Sequence, residues 1–159
     1  NTNTHCHDIA IECIEAGVNT TNIYQLIYES SSQSRINLLG NVLQNIHYEL
    51  DGEFAWYVID QNMMSMAKAS KADVEGFTDF VRTIKGVEVS MMVMESEDTG
   101  CRLNFRSTGK YIINEVAIEL GGGGHKFASG AVVNKPLDTV VKNAVDTMKK
   151  SILEQRLGE

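Results

Sequence analysis

The ten residues from Gly121 to Gly130 contain the groups in this sequence best suited to chemistry. They read Gly-Gly-Gly-Gly-His-Lys-Phe-Ala-Ser-Gly, so four successive glycines precede His125 and Lys126. Such a run costs backbone entropy and offers no side chain for packing, so a folded domain has little reason to keep it as a plain connector. Backbone N–H groups without neighbouring Cβ atoms can converge on an anion, with an imidazole donor and an ammonium charge at the rim. We therefore predict a site for phosphate oxygens here.

Two common phosphate-binding motifs do not describe this run. A P-loop places Ser or Thr after its lysine, whereas Phe127 follows Lys126. A dinucleotide-binding fingerprint places glycines at i, i+2 and i+5 after a strand, whereas positions 126 and 127 are Lys and Phe and the run follows a predicted helix. The predicted phosphate site therefore belongs to neither class.

The segment from Cys101 to Ser107 is predicted to be a strand with one apolar and one polar face, because successive side chains of a strand point to opposite faces. The apolar face carries Cys101, Leu103 and Phe105, and the polar face carries Arg102, Asn104 and Arg106. Ordinary solvation of an outer face explains this pattern as well as a binding site does. If the glycine run packs near the end of this strand, Arg106 becomes a planar fork for phosphate.

Helical periodicity dominates the first part of the chain, and extended and helical segments alternate in the rest. The predicted stripes of the first three helices are Ile9 to Ile14, Ile23 to Ile27 and Ile36 to Ile46. The period becomes extended after the turn at Asp51-Gly52, which places a domain boundary near residue 48. The remaining predicted elements are a strand at 54–59, a helix after Asp73 that ends at Gly86, strands at 87–95, 101–107 and 129–134, a short helix through Leu120 and a long helix from Pro136.

The strands at 87–95 and 101–107 are predicted to pair antiparallel through the polar connection at 96–100. Four strands interleaved with helices predict an α/β fold. In this prediction a mixed β-sheet with flanking helices occupies residues 48–159, and a small all-helical segment occupies residues 1–47.

Composition excludes several classes of protein. A chain of 159 residues, 43% of them hydrophobic, is long enough to bury a core, which excludes a disordered tail. No apolar stretch approaches the roughly 20 residues of a bilayer-spanning helix. The net charge of −7 argues against a broadly basic surface that coats nucleic acid, although residues 102–135 carry five basic and only two acidic side chains. Three cysteines without a CxxC pair, and no secretory signal pattern, lead us to expect a cytoplasmic setting.

The motif Gly-Gly-Gly-Gly-His-x-x-Ala-Ser-Gly, preceded by an Asn-Phe-Arg-Ser strand and a short helix, resembles the substrate-binding (DHHA1) domain of DHH phosphoesterases. The branch it resembles most contains nanoRNase-type oligoribonucleases, phosphoadenosine-phosphate phosphatases and cyclic-di-AMP phosphodiesterases. The resemblance covers residues 54–150. The helices before residue 48 resemble the end of that family's catalytic half and its linker.

The resemblance implies a two-domain hydrolase that cleaves short oligoribonucleotides or phosphoadenosine phosphate. Its first domain holds Mn²⁺ or Mg²⁺, and its second domain grips short RNA or an adenine nucleotide. The substrate-binding residues implied here are Arg106, Ser107, Gly122, Gly123, Gly124 and His125, with Lys126 at the rim and His125 also a candidate for stabilising charge in the transition state. The sequence contains no Asp-His-His and no Asp-x-Asp. We therefore expect no catalytic or metal-binding residue in this chain, and an inert fragment of a longer enzyme.

The sequence alone leaves several alternatives open. The chain could be a non-catalytic module that binds nucleotide or forms a homodimer, or an accessory domain of an alanyl-tRNA synthetase, which carries a related glycine-rich stretch. A metal cluster at His5, Cys6, His7 and Cys13 is a weaker hypothesis. Helical spacing puts the two histidines on different faces, which favours capping or surface roles for these residues.

Overall fold

The computed structural model describes residues 2–96 and 100–158, and within them the chain forms seven α-helices and six β-strands. The helices are α1 (Thr4–Glu15), α2 (Thr20–Tyr28), α3 (Gln33–Gln44), α4 (Gln61–Ala67), α5 (Phe77–Val81), α6 (Asn114–Glu119) and α7 (Leu137–Leu157). The strands are β1 (His47–Glu49), β2 (Phe54–Ile59), β3 (Val89–Glu95), β4 (Cys101–Ser107), β5 (Gly123–His125) and β6 (Ala128–Val133). Short 3-10 segments lie at Leu50–Gly52 and Lys71–Val74. The predicted α/β class is confirmed.

Part of the predicted connection at 96–100 cannot be compared, because residues 97–99 lie outside the described residues. The antiparallel pairing of the two strands that it joins is confirmed. None of the described helices combines the length and hydrophobicity that a membrane span requires.

The first compact unit, Asn1–Gln33, contains the helices α1 and α2. Each begins at an asparagine cap: the side chain of Asn3 accepts a hydrogen bond from the N–H of Cys6, and that of Asn19 accepts one from the N–H of Asn22. Both helices were predicted from their apolar spacing and are confirmed.

The second compact unit begins at Ser34, which is earlier than the boundary predicted near residue 48. The difference has a physical cause in α3. Its side chains Leu38 and Val42 are fully buried and belong to a core of the second unit, so this helix packs with the sheet. The functional division of the chain at residues 47 and 48 stays a prediction.

Two predicted helix patterns were wrong in detail. The stripe predicted for α3 is only half right: Leu39 and Ile46 pack against the core, whereas Ile36 is 54% exposed and Leu43 is exposed as well. The fully buried side chains of this helix are Leu38 and Val42. The single helix expected between Asp73 and Gly86 is broken at Gly76, whose φ of +79° lies in the left-handed region. Asp73 consequently completes a capping box in the preceding 3-10 segment, and α5 begins after Gly76.

The six strands form one sheet in the order β1-β2-β3-β4-β6-β5. Strands β2 and β3 are parallel, and the other neighbours are antiparallel, so the predicted mixed sheet is confirmed. The two edge strands, β1 and β5, were not predicted. Each has three residues, and β5 lies inside the glycine run.

Helices cover the two faces of the sheet unequally. One face packs with α6 and α7, and the apolar side chains of β4 are buried there. The other face packs with α3, α4 and α5 where β2 and β3 lie. Beyond α5 this second face continues over β4, β6 and β5, and its side chains there include the exposed Arg102, Val132 and His125.

Glu53 connects the start of β2 to the loop after β4 and to the end of α7. Its carboxylate accepts hydrogen bonds from Lys110 Nζ at 2.8 Å, from the Tyr111 hydroxyl at 2.6 Å and from Arg156 Nη2 at 2.8 Å. The hydrogen bond from Lys110, followed by those from Tyr111 and Arg156, lowers the pKa of Glu53 from 4.5 to about 2. The ionised carboxylate therefore stabilises the folded state.

We expect this contribution to be complete above pH 4.5 and to be lost as the pH falls toward 2, because Glu53 takes up its proton more readily in the unfolded chain. The substitution Glu53→Gln should lower the free energy of unfolding at pH 7 by about 2 kcal/mol, and by progressively less below pH 4.5. Urea unfolding at pH 7, 4.5 and 3 measures both effects, with Glu119→Gln on the exposed side of α6 as the control. Equal losses from Glu53→Gln at all three pH values would contradict this assignment.

Candidate functional site

The register of three neighbouring strands places Arg106 and His125 in one cross-strand row. Arg106 of β4 pairs with Ala128 of β6, and Ala128 pairs with His125 of β5. Directly paired residues of antiparallel strands point to the same face. Because adjacent strands lie about 4.8 Å apart, the Cα atoms of Arg106 and His125 are about 10 Å apart, on either side of a single methyl group. The structure thus brings together the guanidinium and the imidazole that were predicted to share a site.

The next row repeats the arrangement with smaller residues. Asn104 pairs with Gly130, and Gly130 pairs with Gly123. In these two rows β6 contributes only Ala128 and Gly130, which have small side chains or none. The surface above β6 is therefore lower than the surface above β4 and β5. The result is a depression of about 660 Å³, which we call the glycine trough. Its lining includes Asn104, Arg106, Gly121, Gly122, Gly123, Gly124, His125, Ala128 and Gly130.

Two of the four glycines end helix α6. The N–H of Gly121 donates to the carbonyl of Ile118 at 2.9 Å, and the N–H of Gly122 donates to that of Ala117 at 2.7 Å. With φ of +83° at Gly121, this is the usual glycine cap of a helix C-terminus. The sequence led us to expect these N–H groups to converge on an anion, and for these two glycines that expectation was wrong.

Close packing of the backbone accounts for two glycines. A Cβ atom at Gly122 would lie 2.1 Å from the carbonyl oxygen of Gly130, and one at Gly124 would lie 2.7 Å from Cα of Ser129. Both distances are far below van der Waals contact, and the atoms concerned are backbone. The fold itself therefore requires glycine at 122 and 124. It also favours glycine at 121, where φ is positive.

Gly123 is the exception in the run. A Cβ atom there would meet nothing within 4 Å, and Gly123 is not among the residues with positive φ. It lies in β5, an edge strand of the sheet, and lines the glycine trough. Folding therefore does not require glycine at this position, and the open space above it is available to a ligand.

Asp79 fixes the direction of the Arg106 side chain. Both carboxylate oxygens of Asp79 lie 3.3 Å from Arg106 Nε, and Arg106 Nη1 donates to the carbonyl of Phe105 at 3.0 Å. Asp79 also lies 3.6 Å from the Arg82 guanidinium. One carboxylate between two guanidinium groups leaves a net positive charge beside the trough.

A buried polar network holds Asp79 in place. The Ser90 hydroxyl of β3 donates to the carbonyl of Thr78 at 2.8 Å, and the hydroxyls of Tyr57 and Thr78 are 3.3 Å apart. Burial raises the pKa of Tyr57, so its hydroxyl stays protonated and available for this contact. These bonds pin the first turn of α5 to the sheet. Asp79 was missed in the sequence, where it is one polar residue of a predicted helix.

Two predicted site residues do not line the trough. Ser107 is buried, its hydroxyl accepts from the N–H of Gly109 at 3.1 Å, and its own N–H donates to the carbonyl of Phe127 at 2.9 Å. Lys126 has an exposed side chain, and its carbonyl accepts from the N–H of Ile113 at 2.9 Å. Both residues hold the turn at 126–127 that follows His125, and their contact with substrate stays a prediction.

The described part of the chain offers no donor set for a resident metal ion. Among residues 2–96 and 100–158 there is no group of three or more His, Cys, Asp or Glu side chains that could hold one. The histidines and cysteines of α1 form no such group and are exposed. At the glycine trough, Asn104, Arg106 and His125 present hydrogen-bond donors, an arrangement that suits the binding and orientation of an anion.

Comparison with known proteins gives the family. Residues 58–154 match the DHHA1 domain. The chain is 24% identical over 153 residues to the bifunctional oligoribonuclease and PAP phosphatase NrnA of Thermus thermophilus, covering 96% of this chain and 45% of that protein. It is 26% identical over 122 residues to the NrnA protein of Bacillus subtilis, covering 77% and 38% respectively. The chain thus spans less than half the length of these relatives.

Solved structures agree with this match. An exopolyphosphatase-related protein from Bacteroides fragilis has a TM-score of 0.88 and 28% identity, over 98% of this chain and 46% of that one. The pGpG-specific phosphodiesterase PggH of Vibrio cholerae has a TM-score of 0.53 at 10% identity, over 96% of this chain and 51% of that one, and shares the fold. Because the matched residues 58–154 make up more than half of the 159 in the sequence, this chain belongs to the DHHA1 domain family.

Proposed function

We propose that this chain is the substrate-binding part of a phosphoesterase that acts on short oligoribonucleotides or phosphoadenosine phosphate. The observation that carries the proposal is the row in which Arg106 and His125 flank Ala128 across the glycine trough. The names of the NrnA relatives supply the two substrate classes. Both classes present phosphate groups on a nucleotide, which is the ligand that this row suits.

Arg106 and His125, on the two sides of the trough, have different binding roles in this proposal. The Arg106 guanidinium, held by Asp79, offers a planar fork of donors to phosphate oxygens. His125 stands on the opposite wall and donates a hydrogen bond to the same phosphate or the one beside it. Gly123 lets the ligand lie close to the backbone of β5. A phosphate in this position is oriented and partly neutralised without entering a closed cavity.

Hydrolysis, in this proposal, takes place on a different part of the whole protein. The relatives are more than twice as long as the segment they share with this chain. We propose that their additional length corresponds to a catalytic domain that holds Mn²⁺ or Mg²⁺, and that this metal supplies the nucleophile when bound. The described residues of this chain then contribute substrate affinity and orientation, which lower the barrier by placing the phosphate correctly.

Loss of the Arg106 or the His125 side chain should reduce the turnover of the whole enzyme. In the whole protein we expect Arg106→Gln and His125→Ala each to reduce turnover of a dinucleotide by more than about tenfold, because each deletes a charge-assisted hydrogen bond to phosphate. Lys150→Gln is the matched control, since Lys150 is an exposed cation on α7, on the opposite face of the sheet. Unchanged turnover in both trough variants would refute the proposed site.

The glycines offer a test that separates binding from folding. Gly123→Ala should leave the melting temperature within a few degrees of the unsubstituted chain, because the new Cβ has open space. It should nevertheless weaken dinucleotide binding by about threefold or more, because the methyl group occupies space that the ligand uses. Gly122→Ala should instead destabilise the fold strongly, because its Cβ would collide with the Gly130 carbonyl. Thermal unfolding and a binding titration distinguish the two substitutions.

Undiminished binding by a folded Gly123→Ala variant would show that no ligand approaches β5. An equal loss of stability in both variants would show that a methyl group at position 123 has no open space.

A further inference from the structure

The polar face of β4 carries a second guanidinium, that of Arg102, at the far end of the glycine trough. Arg102 pairs with Val132 of β6, two rows beyond the pair of Arg106 and Ala128. Both side chains point to the same face as Arg106, and both are exposed, Val132 to 75%. Arg102 and Val132 thus place a cation beside an aliphatic side chain. We call the face of β4 and β6 that runs from Arg106 to Arg102 the strip.

Arg102 borders two depressions. It lines the glycine trough and also a neighbouring depression of about 300 Å³, whose other wall is formed by residues 71–79. Within residues 2–96 and 100–158 its guanidinium makes no hydrogen bond or ion pair, whereas Arg106 is held by Asp79. The hydrogen-bond donors of Arg102 are therefore available to a ligand that lies along the strip.

The spacing of Arg102 and Arg106 along β4 matches a chain of several nucleotides. Arg102 and Arg106 are four residues apart on one strand, which separates their Cα atoms by about 13 Å. A stacked nucleic-acid strand advances about 3.4 Å per nucleotide, so this distance corresponds to roughly four steps, and to fewer if the strand is extended. A chain of several nucleotides can therefore follow β4 from Arg106 to Arg102, over a distance that exceeds the rise of a single nucleotide.

We propose that Arg102 and Val132 form a distal subsite that binds a phosphate and a base of an oligoribonucleotide longer than a dinucleotide. Arg102 contacts the distal phosphate, and Val132 packs against the adjoining base through dispersion contacts. This inference rests on the proposed function, because the Arg106 row must hold the proximal phosphate. It adds that affinity rises with chain length along β4, and that phosphoadenosine phosphate gains nothing from Arg102.

The test compares two ligands on the 159-residue chain. Oligoadenylates of two and of five nucleotides, each with a 5′-phosphate, are titrated into isotope-labelled protein and followed by NMR. We expect Arg102→Gln to weaken binding of the pentanucleotide by about five- to tenfold and to leave dinucleotide affinity within a factor of two. The plot of log affinity against log salt for the pentanucleotide should also become shallower by about 0.7, the slope change for one lost phosphate contact.

Two further variants make the result decisive. Val132→Glu places a negative charge in the same row and should weaken the pentanucleotide selectively, whereas Lys150→Gln on the opposite face should alter neither affinity. Equal losses for both ligands in Arg102→Gln, or no loss for either, would overturn the distal subsite. Arg106→Gln tests the proposed function separately: it should weaken both ligands, and if it weakens neither, the proximal site itself has failed.

Discussion

The register between β4, β6 and β5 is the constraint on which the candidate site depends. A shift of one residue would move the side chains of a strand to its other face and separate Arg106 from His125. Burial fixes this register, because Leu103 and Phe105 of β4 and Ala131 of β6 belong to the core on the opposite face. Glycine fixes it further: a Cβ at Gly130 would meet the Leu103 carbonyl at 2.7 Å. The strands thus approach closely in one alignment, and that alignment forms the trough.

A single face of the sheet contributes both to the hydrophobic core and to the candidate site. Helices α3, α4 and α5 bury the half formed by β2 and β3. On the half formed by β4, β6 and β5 the polar side chains are exposed or half-buried. The boundary between the halves is where α5 meets β4. Ser90 and Thr78 bind α5 to the sheet there, and Asp79 consequently reaches Arg106. Packing of the core and orientation of the guanidinium therefore rest on the same contacts.

Local patterns in the sequence were sufficient to predict some parts of the fold and of the candidate site. The alternation of β4 predicted which of its side chains face the core, and the glycine run next to His125 indicated the trough. Strand β5 was not predictable from propensity, because two of its three residues are glycine and its extended form depends on pairing with β6. The ion pair of Asp79 with Arg106 joins residues 27 apart and depends on the break at Gly76, so no local signal announces it. The helix that runs into Gly121 did carry a cap signal, which explains part of the glycine run without any ligand.

The most direct measurement is a crystal structure of this chain with a 5′-phosphorylated dinucleotide bound. We predict a phosphate over Ala128, within hydrogen-bond distance of the Arg106 guanidinium and the His125 imidazole, with the sugar-phosphate backbone against Gly123. A dinucleotide bound elsewhere on the second unit, with the glycine trough empty, would contradict it.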